Sequence, residues 1–179
     1  MRILFIVVML SSLEALAGLT ARAASVPADP AGVVEVIDGD TLMVGGQRVR
    51  LYGIDAPETG QYCATKHQKP FDCGRVAARS LRLFLGGAEV RCKARSRLPE
   101  GTVLATCFSG RNDLAAQMVV VGWALADPST GADYRRSELA ARATNEGLFK
   151  GSLSPPWEWR TGKREIAPGI PWKGTGVAD

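Results

Sequence analysis

Apolar positions along the chain change their repeat several times, and each change marks an element. Val33 to Ile37 is rich in β-branched residues and reads as a strand. Thr41 to Tyr52 reads as a hairpin centred on Gly45-Gly46, a pair free to take the positive φ of a primed turn. On its second strand Val49 and Leu51 share one face with Gln47, while Arg48, Arg50 and Tyr52 share the other. Ala77, Leu81, Phe84 and Leu85 fall at helical spacing within Gly74–Leu85, and Gly86-Gly87 stops that helix. Glu89 to Ala94 and Val103 to Phe108 read as strands around a turn at Leu98-Pro99-Glu100-Gly101. Asn112 or Asp113 can cap a helix from Leu114 to about Val121, and a third helix covers about Asp133 to Glu146. Strands, one helix, strands and two helices predict an α+β domain around a small antiparallel barrel.

The two ends read differently. Met1-Arg2, an apolar stretch from Ile3 to Leu19 and Ala21-Arg22-Ala23-Ala24 form a secretory signal over residues 1–24. The run is short and interrupted by Glu14, whereas a bilayer span needs about 20 mostly apolar residues. The mature chain is therefore expected in the periplasm or the medium, with no membrane attachment after cleavage. Residues 25–31 read as a flexible lead-in, and residues 161–179, rich in Gly and Pro, as an irregular tail.

At 179 residues and 46% hydrophobic composition the chain fits one globular domain, placed at residues 32–160. Its formal charge is +4; Arg2, Arg22 and Glu14 account for +1, leaving +3 on the mature chain. That excess permits a nucleic-acid partner without arguing for one. Nothing in the composition argues for an oligomer, so a monomer is expected.

The cysteines are Cys63, Cys73, Cys92 and Cys107. No pair has the C-x₂₋₄-C spacing of a zinc knuckle and His67 is the sole histidine, so two disulfides are favoured over a zinc site in an exported chain. A symmetric turn between Pro99 and Glu100 sets Cys92 opposite Cys107, near enough to bridge at a close pair position. Cys63 and Cys73 then close a second loop.

Two segments carry chemistry: Val36-Ile37-Asp38-Gly39-Asp40-Thr41 and Arg50-Leu51-Tyr52-Gly53-Ile54-Asp55-Ala56-Pro57-Glu58. Carboxylates held close together repel unless a cation sits between them, and hard oxygen donors suit Ca²⁺ or Mg²⁺. An arginine makes planar contacts with phosphate. Either segment alone could be ordinary turn chemistry.

Together, VIDGDT and RLYGIDAPE resemble the signature of the staphylococcal nuclease-like (thermonuclease) family, with Gly147-Leu148-Phe149 and the Pro-Pro-Trp-Glu-Trp close extending the likeness over residues 32–160. The two-disulfide pattern is similar to that of exported bacterial members. The resemblance implies an α+β fold: a small five-stranded antiparallel OB-type barrel with three helices. It implies Ca²⁺ held by Asp40, Asp55 and the backbone carbonyl of Ala56, with Glu58 as general base and Arg50 on the scissile phosphate. The implied activity is a secreted nuclease, endonuclease or exonuclease, cutting DNA or RNA, single strands preferred, to leave 3′-phosphate ends.

One departure bears on activity. The family's second phosphate-binding arginine falls here at Thr102. The register that opposes Cys92 to Cys107 also opposes Arg97 to Thr102, so Arg97 is the expected substitute, with Arg95 in reserve. The alternative is a weakened or inactive nuclease fold that binds nucleic acid. Asp127 stands where family members often present tyrosines near the base; Tyr134 could compensate but is expected on the helix surface or at the core edge, and Trp157, Trp159 and Trp172 in packing roles.

Overall fold

The computed structural model describes residues 27–87, 89–130, 132–167 and 170–171. Residues 1–24, read above as a signal segment, and Trp172 lie outside them.

The hydrophobic alternation yields a curled, half-barrel sheet. Strands β1 (Val34–Val36), β2 (Thr41–Val44) and β3 (Gln47–Leu51) form a meander. Gly45 and Gly46 both have positive φ, 56° and 78°, at the turn between β2 and β3. A two-residue strand, β4 (Ile54–Asp55), follows, and then a hairpin of β5 (Tyr62–Ala64) and β6 (Pro70–Asp72). Helix α1 (Cys73–Leu85) begins where the Asp72 carboxylate accepts the Arg75 N–H at 2.8 Å and ends at left-handed Gly86. The long pair β7 (Val90–Arg97) and β8 (Val103–Ser109) completes the sheet in the order β1-β2-β3-β8-β7, with β9 (Asn112–Asp113) beside β8.

Helix α2 (Leu114–Val120) follows, then β10 (Leu125–Ala126), which pairs with β4, and α3 (Arg135–Ala143). A 3₁₀ turn, Gly147–Lys150, and a short helix, α4 (Pro156–Arg160), lead to the strands β11 (Glu165–Ala167) and β12 (Ile170–Pro171). Leu42, Val49, Leu51, Leu81, Val103, Leu114 and Met118 fill the space between the sheet and helices α1 and α2. Among the described residues no helix is long and apolar enough to cross a membrane.

Four expectations need correction. The sheet is mixed, because β3 and β8 run parallel, Val49 opposite Val103 and Leu51 opposite Ala105. Besides the three anticipated helices there is α4, built on Pro155 and Pro156. The stretch read as an irregular tail contains the paired strands β11 and β12. Within the lead-in, Asp29 is tied down, its carboxylate accepting the Ala94 N–H at 2.8 Å.

Both disulfides form, Cys63–Cys73 and Cys92–Cys107. Cys92 stands opposite Cys107 as the turn geometry required, and the register holds as far as Ala94 opposite Ala105. It then slips at a bulge, so Arg97 opposes Val103 rather than Thr102.

Candidate active site

The β1–β2 turn brings Asp40 inward because Gly39 lets it lie flat on the core. A Cβ on Gly39 would come within 2.7 Å of the Cβ atoms of both Ala56 and Ala77. Only glycine allows the turn to rest on the Asp55–Ala56 segment and α1 together. The Asp40 carboxylate is buried; Oδ1 accepts the Thr41 hydroxyl at 2.8 Å and Oδ2 the Ala56 N–H at 2.9 Å.

Asp55, at the end of β4, is 1% exposed. Arg50 reaches it from the polar face of β3, with Nη2 at 2.7 Å from Asp55 Oδ1 and 3.5 Å from Asp40 Oδ2. One guanidinium nitrogen thus touches both carboxylates, which face a common point. Glu58 follows on the same loop. Its N–H donates to Gln61 Oε1 at 3.0 Å, and its carbonyl lies where a Cβ on Gly74 would be only 1.9 Å away. The loop is therefore pressed on the start of α1.

Two residues that organise the site were missed by sequence reading. Gln61 is fully buried, and its Nε2 donates to the Ser154 carbonyl at 2.8 Å. It ties the Glu58 loop to the segment entering α4. Arg160 ends α4, and its guanidinium forks onto Asp55, Nη1 to Oδ1 at 2.8 Å and Nη2 to Oδ2 at 2.7 Å, while Nη1 also donates to Glu58. No local pattern marks Arg160 among 22 lysines and arginines. The one hint was its place directly after the Trp-Glu-Trp close.

The electrostatics are uneven. Burial, only partly countered by Arg50 and reinforced by Asp38 and Asp55, raises the Asp40 pKa to about 8. Arg160 is raised further above its already high range, chiefly by its hydrogen bond to Asp55. Arg50 is raised as well: its burial opposes the shift, but Asp40 and Asp55 outweigh it. A buried carboxylate held toward its neutral form is one short of positive charge.

A cavity of about 170 Å³ opens on this cluster, lined by Asp38, Asp40, Arg50, Glu58, Thr102 and Arg160 among others. Asp40 and Asp55 converge, and Asp55 and Glu58 converge through Arg160. No group of three or more His, Cys, Asp or Glu side chains forms a metal cage among the described residues. Two carboxylates, the neighbouring backbone and water nonetheless suit a hard divalent cation, which commonly keeps water in its shell. The charge deficit at Asp40 fits such an ion.

The remaining candidates stand apart. Arg97 donates to the Gly101 carbonyl at 2.6 Å, is exposed and does not line the cavity. Arg95 lies over the Tyr52 ring at 5.3 Å and donates to the Thr106 hydroxyl at 3.1 Å. Tyr134 is at the core edge, its hydroxyl donating to Asp113 Oδ2 at 2.8 Å. Asp127 accepts from Ser129 N–H and hydroxyl within its own turn. Trp159 is buried and Trp157 packs on the small cluster around Cys63–Cys73.

Residues 48–151 match the family model described as staphylococcal nuclease homologue, more than half of the chain. The chain belongs to the staphylococcal nuclease family. Arg50, Asp55 and Glu58 of this nuclease homologue fall inside the matched span, and Asp40 and Arg160 flank it. Relatives include the succinoglycan biosynthesis protein ExoI of Rhizobium meliloti, 29% identical over 76% of this chain and 73% of that protein. The probable staphylococcal-like nuclease CAN3 of Oryza sativa is 27% identical over 70% of this chain and 31% of its own length. The probable endonuclease LCL3 of Yarrowia lipolytica is 28% identical over 63% of this chain and 54% of its own length. The chain thus spans under a third of the rice relative and about half of the yeast one.

Proposed function

We propose that this nuclease-like domain is an exported, calcium-dependent enzyme that hydrolyses DNA or RNA and leaves 3′-phosphate ends. The observation that carries the reading is the convergence of Asp40 and Asp55 on one nitrogen of Arg50, with Glu58 on the rim of the same cavity.

Asp40, Asp55 and the Ala56 carbonyl would hold the cation. When bound there, the ion would supply positive charge to acidify a water molecule and offset the phosphate. Arg50 offers its guanidinium to the phosphate oxygens from a half-buried position, where hydrogen bonds to charge are stronger than in water. Glu58, near the cavity mouth, accepts a proton from the attacking water. The water oxygen bonds to phosphorus, the bond to the 5′-oxygen breaks, and that oxygen takes up a proton from solvent as it leaves. The phosphate stays on the 3′ side. The small, open cavity favours a single strand over a stiff duplex.

A second reading, a domain that binds nucleic acid with little turnover, is favoured by Thr102, which is buried at the position of the second family arginine. Incubating the mature chain with heat-denatured DNA, in calcium and then in chelator, separates the two. Cleavage that needs calcium supports the enzyme; retention of the DNA without cleavage supports the binder.

A further inference from the structure

Thr102 and Arg160 line the same cavity. Thr102 is 5% exposed and carries no charge, so it gives a phosphate no cationic contact. Arg97 sits on the turn carbonyl of Gly101 and Arg95 over Tyr52. Arg48 also lines the cavity, from the exposed face of β3, but Arg160 is the one that shares the Asp55 carboxylate with Arg50.

We propose that Arg160 is the second phosphate-binding arginine of this site, held on Asp55 and Glu58 until a divalent cation takes over those carboxylates. The inference rests on the nuclease reading above and adds to it a residue from beyond the family-matched span.

Arg160 occupies both Asp55 oxygens and one Glu58 oxygen. These are the lone pairs that an ion and an attacking water would need. A cation and Arg160 therefore compete for Asp55, and binding of one weakens the other by linkage. Charge sets the direction. Asp38, Asp40, Asp55, Glu58 and Glu100 outnumber Arg48, Arg50 and Arg160 around the cavity. A dication offsets that acidic excess and weakens the hold of Asp55 and Glu58 on Arg160, and a phosphodiester offers the guanidinium a new anionic partner. Arg160 is then drawn from carboxylate to phosphate, for which its planar fork is equally suited.

The fold lets the side chain make this exchange. The α4 backbone is fixed by buried Trp159 next to Arg160, and the Gln61–Ser154 hydrogen bond holds the segment entering the helix. The Arg160 side chain itself is 38% exposed, so only its outer atoms need to move.

The test uses the full mature chain with Arg160→Ala, Arg160→Gln and Arg160→Lys. Two quantities are read: calcium affinity by calorimetry without nucleic acid, and kcat/KM on single-stranded DNA at saturating calcium. Arg160→Ala and Arg160→Gln should bind calcium about tenfold or more tightly and yet lose about 10³-fold or more in kcat/KM. Arg160→Lys, which keeps the charge without the fork, should fall between. A merely structural role would weaken calcium binding and cleavage together, and that result would overturn the proposal. So would unchanged calcium affinity in both neutral variants, or cleavage that survives them. A wild-type chain that neither binds calcium nor cuts DNA would instead refute the nuclease reading itself.

Discussion

Asp40 and Asp55 are both almost wholly buried in the same cluster, yet the fold treats them in opposite ways. Asp55 receives two guanidiniums, Arg50 from β3 and Arg160 from α4. Asp40 receives one hydroxyl, one backbone N–H and a single longer ion pair to Arg50 at 3.5 Å. Burial then dominates at Asp40 and lifts its pKa to about 8. At Asp40 the single, longer ion pair to Arg50 does not offset burial. Asp55 is held by two ion pairs, and Asp40 by one longer one.

The largest effect should come from removing the residue that serves both. Arg50→Ala is expected to lower kcat/KM on single-stranded DNA by about 10³-fold or more, as loss of a phosphate-facing arginine does in related chemistry. A loss under tenfold, read from initial cleavage rates, would mean that Arg50 only neutralises the carboxylates.

Asp55→Asn comes next and acts on stability. It leaves Arg50 and Arg160 without their shared partner. Breaking a buried pair costs about 3–5 kcal/mol, discounted here because Arg160 is more than a third exposed. A Tm fall of roughly 5–10 °C is expected at this chain length, measured by calorimetry in chelator.

Asp40→Asn should do the reverse and sharpen the contrast. Folded Asp40 keeps its proton up to about pH 8, whereas the reference value is 3.8. The folded state therefore binds more protons over that interval, and its stability falls as pH rises through it. Without metal, the Tm of the wild-type chain should drop between pH 4 and pH 8, and Asp40→Asn should remove most of that drop. A Tm profile that is the same in both would show that Asp40 ionises freely in the fold.

Arg97→Ala should have the smallest effect, within about twofold in cleavage, since an exposed turn contact contributes little. A hundredfold loss would restore Arg97 as the substitute for the residue at 102.

Much of this was legible in the sequence, and the misses share a cause. The primed turn at Gly45-Gly46, the helix over 74–85 and the opposition of Cys92 to Cys107 follow from local spacing. The register beyond Ala94 does not, because the bulge begins where the Ala94 N–H donates to Asp29, a residue 65 positions away. The parallel pairing of β3 with β8 likewise joins Val49 to Val103 across a long intervening stretch. At the site, Asp40, Arg50, Asp55 and Glu58 sit in two short segments, so the family resemblance singles them out. Arg160 lies 105 positions from Asp55. Gln61 looks like any surface glutamine until its loop is closed under Ser154. Long-range packing decided both.

Thermal unfolding at pH 8 during a calcium titration, on the wild-type chain and Asp40→Asn side by side, probes the cation directly. The wild-type Tm should climb steadily as calcium passes its dissociation constant, and the Asp40→Asn curve should stay flat. Equal climbs in both proteins, or none in the wild type, would show that Asp40 holds no ion and that the cluster is a set of structural ion pairs.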